Sequence, residues 1–485
     1  MTRKVRQYIF WCLVVVFSAV APLVVLYARG YRFDMAKGRF VATGAIFIKS
    51  APSGAAISVN GVRRGVTAGP IQDALTKPGL VTNVLPGEYD VRVEKTGYKP
   101  WVKKLVVRAR EVTEARNLYL FPENNTPRPL YFTPVDDALV SADGELAAAA
   151  AHAGATSWIA LIDTDSRSAR TVYTATSSPA ARATLAVSAT SVMTLHRFSS
   201  GIVTLIVESR RGTQSPEIGT LRMRDPFDYA AFSVTSLRGI AGGITFADER
   251  RALWRSKDHN LWSWEYAAGE APQLVSASVW GVTVKNGKII TIESSPPLLI
   301  ARSLTDFTPQ QLALEPFEHA ADTTLRVEIA QKLHIVLAAP QKDAEGTVWL
   351  INEDGSRSML HEQAQAISLS PSGKQLLIQT THELWVYYLD DILVQPARKR
   401  GQKTLIARIG TRIKEAWWHP VSSDYVLYVI PEGLFTIELD DRGIVRNNVQ
   451  LVRDGTIRIE HVTETAIFMT MQDKLMRFGL TPDPQ

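Results

Sequence analysis

Nine histidines and one cysteine are the imidazole and thiol side chains of the chain, the residue types from which zinc sites and thiol nucleophiles are built. The histidines are His152, His196, His259, His319, His334, His361, His382, His419 and His461. None forms a His-x-His, His-x₃-His or HExxH pair, so no local zinc signature exists. Cys12 lies inside an apolar run, which excludes an intramolecular disulfide framework, a Cys-based zinc site and a thiol nucleophile in the rest of the chain. A Gly-x-Ser-x-Gly elbow, a phosphate-binding loop and a dinucleotide fingerprint are all absent. Asp163-Thr164-Asp165 and Asp390-Asp391 offer carboxylates to calcium, but without the spacing of an EF-hand loop, and Asp after a strand is a turn former. The sequence therefore assigns no catalytic residue, no cofactor and no metal.

Charge is the remaining chemistry. The net charge of +6 is unevenly spread. Residues 1–43 carry seven Lys/Arg against one Asp, and 44–122 carry twelve against six Asp/Glu, leaving 35 basic and 41 acidic residues in 123–485. Two basic groups stand out: Lys95, Lys99, Lys103 and Lys104, and the run Arg398-Lys399-Arg400. Each can contact a partner or an anionic polymer, or form a solvated face that blunts a sheet edge. No aromatic-basic stripe or recognition motif accompanies them, so nucleic acid is not an expected partner.

At 485 residues the chain is too long for one core and predicts two or three folded parts. The first element positions the rest. Tyr8 to Ala28 is 21 residues without a charge. As a helix this reaches roughly 31 Å, enough to cross a hydrocarbon core. Tyr8, Trp11 and Tyr27 sit near its ends, where amphipathic rings prefer the interface. Arg3, Lys4 and Arg6 precede it, and that bias favours a cytoplasmic tail of residues 1–7 with the bulk extracytoplasmic. A signal anchor over 8–28 is the expectation. The alternative is a signal peptide cleaved after Ala19-Val20-Ala21, although Pro22 follows at once and the apolar run continues. A juxtamembrane linker over 29–43 comes next.

Residues 44–122 read as short strands. Ala45–Ser50, Ala56–Val59 and Tyr89–Lys95 alternate or run apolar, and Asn60-Gly61 is a strong hairpin signal. A long loop is expected through Gly69-Pro70 to Pro78-Gly79, and further strands through Lys103, Leu105 and Val107 and through Asn117–Leu120. Pro52-Ser53-Gly54-Ala55, Val59-Asn60-Gly61, Leu85-Pro86-Gly87-Glu88-Tyr89 and Gly97-Tyr98 followed by Trp101 together resemble the PEGA domain, a small bacterial surface module. Ser53 stands where the name-giving Glu would be. The resemblance implies a β-sandwich acting as an extracytoplasmic spacer or envelope-interaction module, and it brings no catalytic residues.

Beyond Pro127 the chain is strands and turns. Trp158–Ile162, Val203–Val207, Leu261–Trp264, Leu298–Ala301, Val348–Ile351, Leu384–Tyr388, Leu434–Ile437 and Leu475–Phe478 recur at a mean spacing of about 45 residues. Ser141–Leu146 and Ser370–Leu377 share a turn followed by a strand, and Trp418-His419-Pro420 opens a looser copy. These repeats resemble WD40-like and Tol-type periplasmic propellers, without the Trp-Asp and Gly-His signatures. The fold class is thus all-β after the helix: a sandwich over 44–122, then a β-propeller over 123–485. Seven blades are expected, with eight as the alternative; one candidate strand is open to assignment to a terminal blade completed by the other end of the chain. Trp349, Trp385, Trp417 and Trp418 are expected to pack between blades.

Tethered sandwich and propeller together predict a membrane-anchored binding or scaffold protein of the bacterial envelope. Its anchor is residues 8–28, and its loops face an envelope protein or a cell-wall polymer. The alternative is a hydrolase or lyase whose acids and histidines converge over the propeller channel from separate blades.

Overall fold

A computed structural model of the chain describes residues 3–480, apart from 36–37, 68–78, 142, 154–155, 177–190, 198–201, 210–216, 225–227, 237–239, 247–250, 257, 266–271, 286, 294–297, 314–323, 340–343 and 444. Two compact units divide it. The first is Met1–Asn124 together with Ile392–Arg398 and Glu438–Asn448, and the second is the remainder.

The first unit opens with α1 (Arg3–Ala28), which contains Pro22. Its apolar stretch Val5–Ala28 is long enough to cross a membrane, and none of it is buried by the rest of the protein. A helix apolar on every side finds no water-facing stripe, so a lipid environment is its natural solvent. Gly30, at φ +79°, ends it, with Arg29 N–H bonded to Val25 O and Gly30 N–H to Tyr27 O. A short hairpin follows, β1 (Tyr31–Asp34) on β2 (Arg39–Ala42), where the sequence predicts only a linker.

Seven further strands make the sandwich: β3 (Gly44–Ala51), β4 (Ala56–Val59), β5 (Val62–Val66), β6 (Leu80–Val84), β7 (Gly87–Glu94), β8 (Trp101–Val107) and β9 (Val112–Tyr119). One sheet has the order β5-β4-β7-β8 and the other β6-β3-β9, with β3 and β9 parallel. Asn60 and Gly61 both have positive φ in the β4–β5 turn, the geometry for which that dipeptide is favoured. Alternation along β7 and β8 turns Val91, Val93, Leu105 and Val107 inward onto Ile46, Ile48 and Ile57, and each of these is essentially inaccessible to solvent. Strand β5 is the return strand of the expected Asn60-Gly61 hairpin, β6 is an addition to the sequence reading, and most of the loop expected between Gly69 and Gly79 lies outside the described residues.

Alternation also takes Lys103 inward. Its ammonium pairs with the Glu438 carboxylate, both side chains being at most 3% exposed, and it donates to Asp440 O at 2.6 Å. Glu438 further accepts the Trp101 indole N–H at 2.8 Å and both the backbone and side-chain N–H groups of Asn447 at 2.9 Å. Burial pushes the Glu438 carboxyl up, against the pull of Lys103 and these donors. Arg442 holds Asp440 from two sides at 2.6 and 3.0 Å, and Gln395 accepts from Arg442 and from Glu114 N–H. Buried charges persist only when paired and hydrogen-bonded in this way.

The second unit begins with β10 (Arg128–Pro129). From residue 137 onward the described chain forms eight four-stranded antiparallel sheets. Sheets 1 to 8 span 137–176, 191–236, 240–276, 279–311, 324–364, 366–408, 415–452 and 458–479. The eighth contributes three strands of its own and takes β10 as its fourth, with Arg128 opposite Arg477 and Pro129 opposite Met476. First strands touch one another between sheets 1 and 2, in succession from sheet 3 to sheet 8, and between sheets 8 and 1. That succession, returning from sheet 8 to sheet 1, is the arrangement of a β-propeller. The eight repeating segments of the sequence fall one to each sheet, seven on the third strand and Val203–Val207 on the second.

The described interfaces between neighbouring sheets hold apolar cores. Ala138, Val140, Ala147, Ala149 and Ile162 of sheet 1 meet Ala466, Phe468 and Leu475 of sheet 8. Ile335, Leu337 and Val348 of sheet 5 meet Ile367, Leu376 and Ile378 of sheet 6. The two repeated turns are also alike in detail: Gly144 N–H bonds Ser141 O and Gly373 N–H bonds Ser370 O, both at 2.8 Å, with each glycine at positive φ. Gly433 is fixed by its surroundings, because at φ +137° a Cβ there would come within 2.1 Å of Val452 O.

Lys103→Met leaves the buried Glu438 without its cation and is expected to cost about 3–5 kcal/mol. Adding Glu438→Gln, which keeps an acceptor for Trp101 but removes the charge, should recover much of that loss. Denaturant unfolding of the full chain in detergent, followed by circular dichroism, measures both. Equal stability of wild type and Lys103→Met would contradict the ion-pair assignment.

Candidate functional site

First strands line the inside of the ring, so side chains on them and on the turns that enter them face the central space. Three of these strands, Thr324–Ala330, Ala366–Leu369 and Glu415–His419, border a cavity of about 700 Å³. Its wall contains Arg326, Arg412 and Lys414, the amides of Gln365 and Gln379, Ser368, and the ring of Trp417. Arg412 and Lys414 are exposed and Arg326 is half-buried.

The local folding explains why these groups converge. Gln379, buried at the end of its strand, donates to Ile413 O at 3.3 Å and Lys414 O at 3.4 Å. Ile413 N–H bonds Thr381 O, Lys414 N–H bonds Val429 O and Ile409 N–H bonds His382 O. The turn carrying Arg412 and Lys414 is thereby held to sheets 6 and 7 at several points. The Lys414 ammonium donates to Gly455 O at 2.5 Å. Trp418 points the other way from Trp417 and ties the two sheets by donating to Ser368 O at 3.0 Å.

Three cations face one acid. Glu415 is the single carboxylate in the lining, and its oxygens accept Ile459 N–H at 2.5 Å and the Trp417 indole N–H at 3.2 Å. Burial pushes its carboxyl up, and those two donors with Arg458 and Lys414 oppose the rise. Among the described residues no acid lies within ion-pair distance of Arg412. The cavity therefore carries a surplus of positive charge beside an aromatic face and neutral hydrogen-bonding groups. Such a lining suits an anionic ligand.

A second concavity, of about 580 Å³, lies between sheets 5 and 6 and is lined by Glu345, His361, Thr381, His382, Glu383 and Lys403 among others. Its polar groups are committed to each other. Lys403 donates to His361 Nδ1 at 2.8 Å, Arg408 and the Trp385 indole hold Glu383, and Thr381 donates to Glu345 at 2.6 Å. Burial, followed by the Lys403 charge, holds His361 below the usual imidazole range, which suits its role as acceptor. Among the described residues no group of three or more His, Cys, Asp or Glu is placed to hold a metal.

The basic residues singled out by sequence do not form one face. Lys95 is half-buried and donates to Ser53 O at 2.7 Å, and half-buried Lys99 is held below the usual amine range by burial, against Glu123. Lys103 is buried on Glu438, and of the four only Lys104 is exposed. Burial of Lys103 corrects both the contact and the solvated-face readings for that residue: the strand's period of two sets it on the same side as Trp101 and Leu105. Arg398 pairs with Asp441 at 2.5 Å, Lys399 pairs with Asp391 at 3.2 Å, and Arg400 N–H bonds Asp391 while its side chain is exposed. Asp163 likewise caps its own turn, accepting from Asp165 and Ser166 N–H. Sequence reading missed Arg326, Arg412 and Lys414. The available signal was position, since two of them lie in the turn just before a strand that the repeat places innermost.

Residues 43–120 match the family model described as the PEGA domain. No curated protein matches the chain. Among solved structures, the C-terminal WD40 domain of Sif2 superposes with a TM-score of 0.47 at 12% identity, covering 74% of this chain and 99% of that one. Sqt1 of Saccharomyces cerevisiae gives 0.45 at 12%, covering 74% and 100%, and Hsv2p of Kluyveromyces lactis gives 0.42 at 9%, covering 66% and 99%. Likeness of this degree adds nothing to the ring that the strand order already shows.

His419 ends the strand that forms one wall of the cavity, fully buried beside Tyr425. Burial lowers its pKa from 6.5 to about 3. Between those values the unfolded chain takes up a proton that the folded chain refuses, so stability is intact above about pH 6.5 and falls on acidification. From pH 6.5 to 5 the loss from this group is about 2 kcal/mol. His419→Leu removes that contribution, so its unfolding free energy should fall less over the interval by the same amount. Parallel pH slopes for the two proteins would contradict it.

Proposed function

We propose that this protein is a membrane-anchored, extracytoplasmic binding or scaffold protein of a cell envelope, whose propeller takes an anionic segment of a protein or glycan partner into its central cavity. The observation that carries the reading is the lining of that cavity, where Arg326, Arg412 and Lys414 meet a single, already hydrogen-bonded acid. The apolar helix supports the anchor, and the basic residues Arg3, Lys4 and Arg6 before it support a cytoplasmic N-terminus. The match of 43–120 to the PEGA domain supports a binding role beside the membrane. Recognition suits the cavity better than bond-making, because its lining is mainly hydrogen-bond donors and its one acid already accepts Ile459 N–H and the Trp417 indole N–H.

Arg412 and Lys414 act as paired charge-assisted donors in this reading, each worth about 1.5–3 kcal/mol against an anion. The test uses full-length protein in nanodiscs with fluorescent poly-glutamate as the protein-like probe and polygalacturonate as the glycan-like one. Saturable binding of either probe, weakening with salt and falling about tenfold or more in Arg412→Glu/Lys414→Glu, is the expected result. Lys399→Glu, outside the cavity, should bind as wild type. Binding of neither probe, or binding equal in all three proteins, would overturn the proposal.

A further inference from the structure

The hairpin that follows the helix has two unlike faces. Tyr31, Phe33 and Met35 alternate onto one side of β1 and its continuation, and across from them β2 places Phe40 and Ala42, since Phe33 pairs with Phe40 and Tyr31 with Ala42. Arg32, Asp34, Arg39 and Val41 fall on the other side. The apolar side is open. Phe33 is 48% exposed, Phe40 42% and Met35 89%, and the two phenyl rings meet edge to face at 5.4 Å. Paired exposed aromatics on a two-stranded ribbon are costly in water, and an isolated hairpin has no core of its own to bury them.

The hairpin is also fixed to the helix end. Thr43 N–H and its hydroxyl both donate to Gly30 O, at 2.9 and 2.7 Å, closing the ribbon onto the helix cap. Arg32 lies 3.5 Å over the Tyr27 ring and donates to Tyr27 O, and Arg110 reaches Tyr31 Oη at 2.6 Å. A ribbon so tied cannot leave the neighbourhood of the point where the apolar helix ends.

We propose that the Phe33–Met35–Phe40 face of this hairpin lies in the lipid interface, forming a second membrane contact that fixes the angle at which the chain leaves the bilayer. Continuity selects lipid as the occupant: the face begins three residues after the last apolar residue of the helix, in the zone where aromatic rings and arginines partition together. Arg32 and Arg39, on the opposite side, are placed for headgroup phosphates. The inference rests on the membrane anchor of the proposed function, and its test separates the two.

Full-length protein carrying Cys12→Ser receives one spin label at a time, through Phe17→Cys in the helix, Met35→Cys in the hairpin or Val62→Cys on β5, and is reconstituted in vesicles of phosphatidylethanolamine and phosphatidylglycerol. Power saturation then compares collision with oxygen, which concentrates in lipid, and with a water-soluble nickel chelate. The oxygen-to-nickel ratio should be severalfold higher at 35 than at 62 and should approach that at 17. A lipid-like label at 17 with a water-like label at 35 overturns the hairpin contact and leaves the anchor standing. Water-like labels at both overturn both. Dipolar broadening at 35 that disappears on dilution with unlabelled protein shows a second copy covering the face, and also overturns it.

Discussion

A four-stranded sheet has two faces and no way to bury either alone; that constraint organises most of this chain. A β-propeller solves it by standing such sheets side by side, so that one interface covers two faces at once, as between sheets 8 and 1 and between sheets 5 and 6. The solution holds only if the last sheet meets the first. Closure depends on two residues near the start of the ring, Arg128 and Pro129, which complete the last sheet against Met476 and Arg477. Leu130 and Val135, just beyond them, enter the same core as Phe468 and Leu475. The central cavity is a consequence of closure, because its walls are first strands that a broken ring would not hold in place.

Charge is handled by position. In the first unit a lysine enters a β-sheet core because an acid, an indole and a main-chain carbonyl are there to receive it. Inside the ring the same rule runs in reverse: Arg412 and Lys414 stay at the solvent, while the half-buried Glu415 is given two donors and His419 is kept neutral. Three basic side chains line the cavity against one acid, Glu415, whose oxygens already accept two N–H groups. The direction of that asymmetry, more than the size of the space, gives the binding reading its content.

The architecture was largely legible in the sequence, and the site was not. Asn60-Gly61, the alternation of Tyr89–Lys95 and the repeat near 45 residues are local signals, and each lies where it points. Seven sheets are the expectation; the described residues form eight, one to each repeating segment, and the last is completed by Arg128 and Pro129 from the other end of the chain. The hairpin at 31–42 was hidden because it is short and its strands carry only four residues each. The cavity was hidden for a different reason. Arg326 and Arg412 are far apart in the chain and are brought together by ring packing, which no local pattern encodes. Lys103 shows the intermediate case: its strand periodicity was readable, but the acid that makes its burial tolerable lies more than three hundred residues away.

Closure can be tested with one cross-link. Arg128→Cys and Arg477→Cys, introduced together in a Cys12→Ser background, place two thiols directly across the pair of strands that joins the ring. If the ring closes as described, mild oxidation of the folded full-length protein gives a quantitative intramolecular disulfide. The bond spans a very long loop and should raise the unfolding temperature, whereas a pair at Arg128 and Arg458, on opposite edges of the sheet, should not cross-link. Failure of the first pair to form, or equal cross-linking of both pairs, would contradict a ring closed by these residues and with it the cavity that depends on closure.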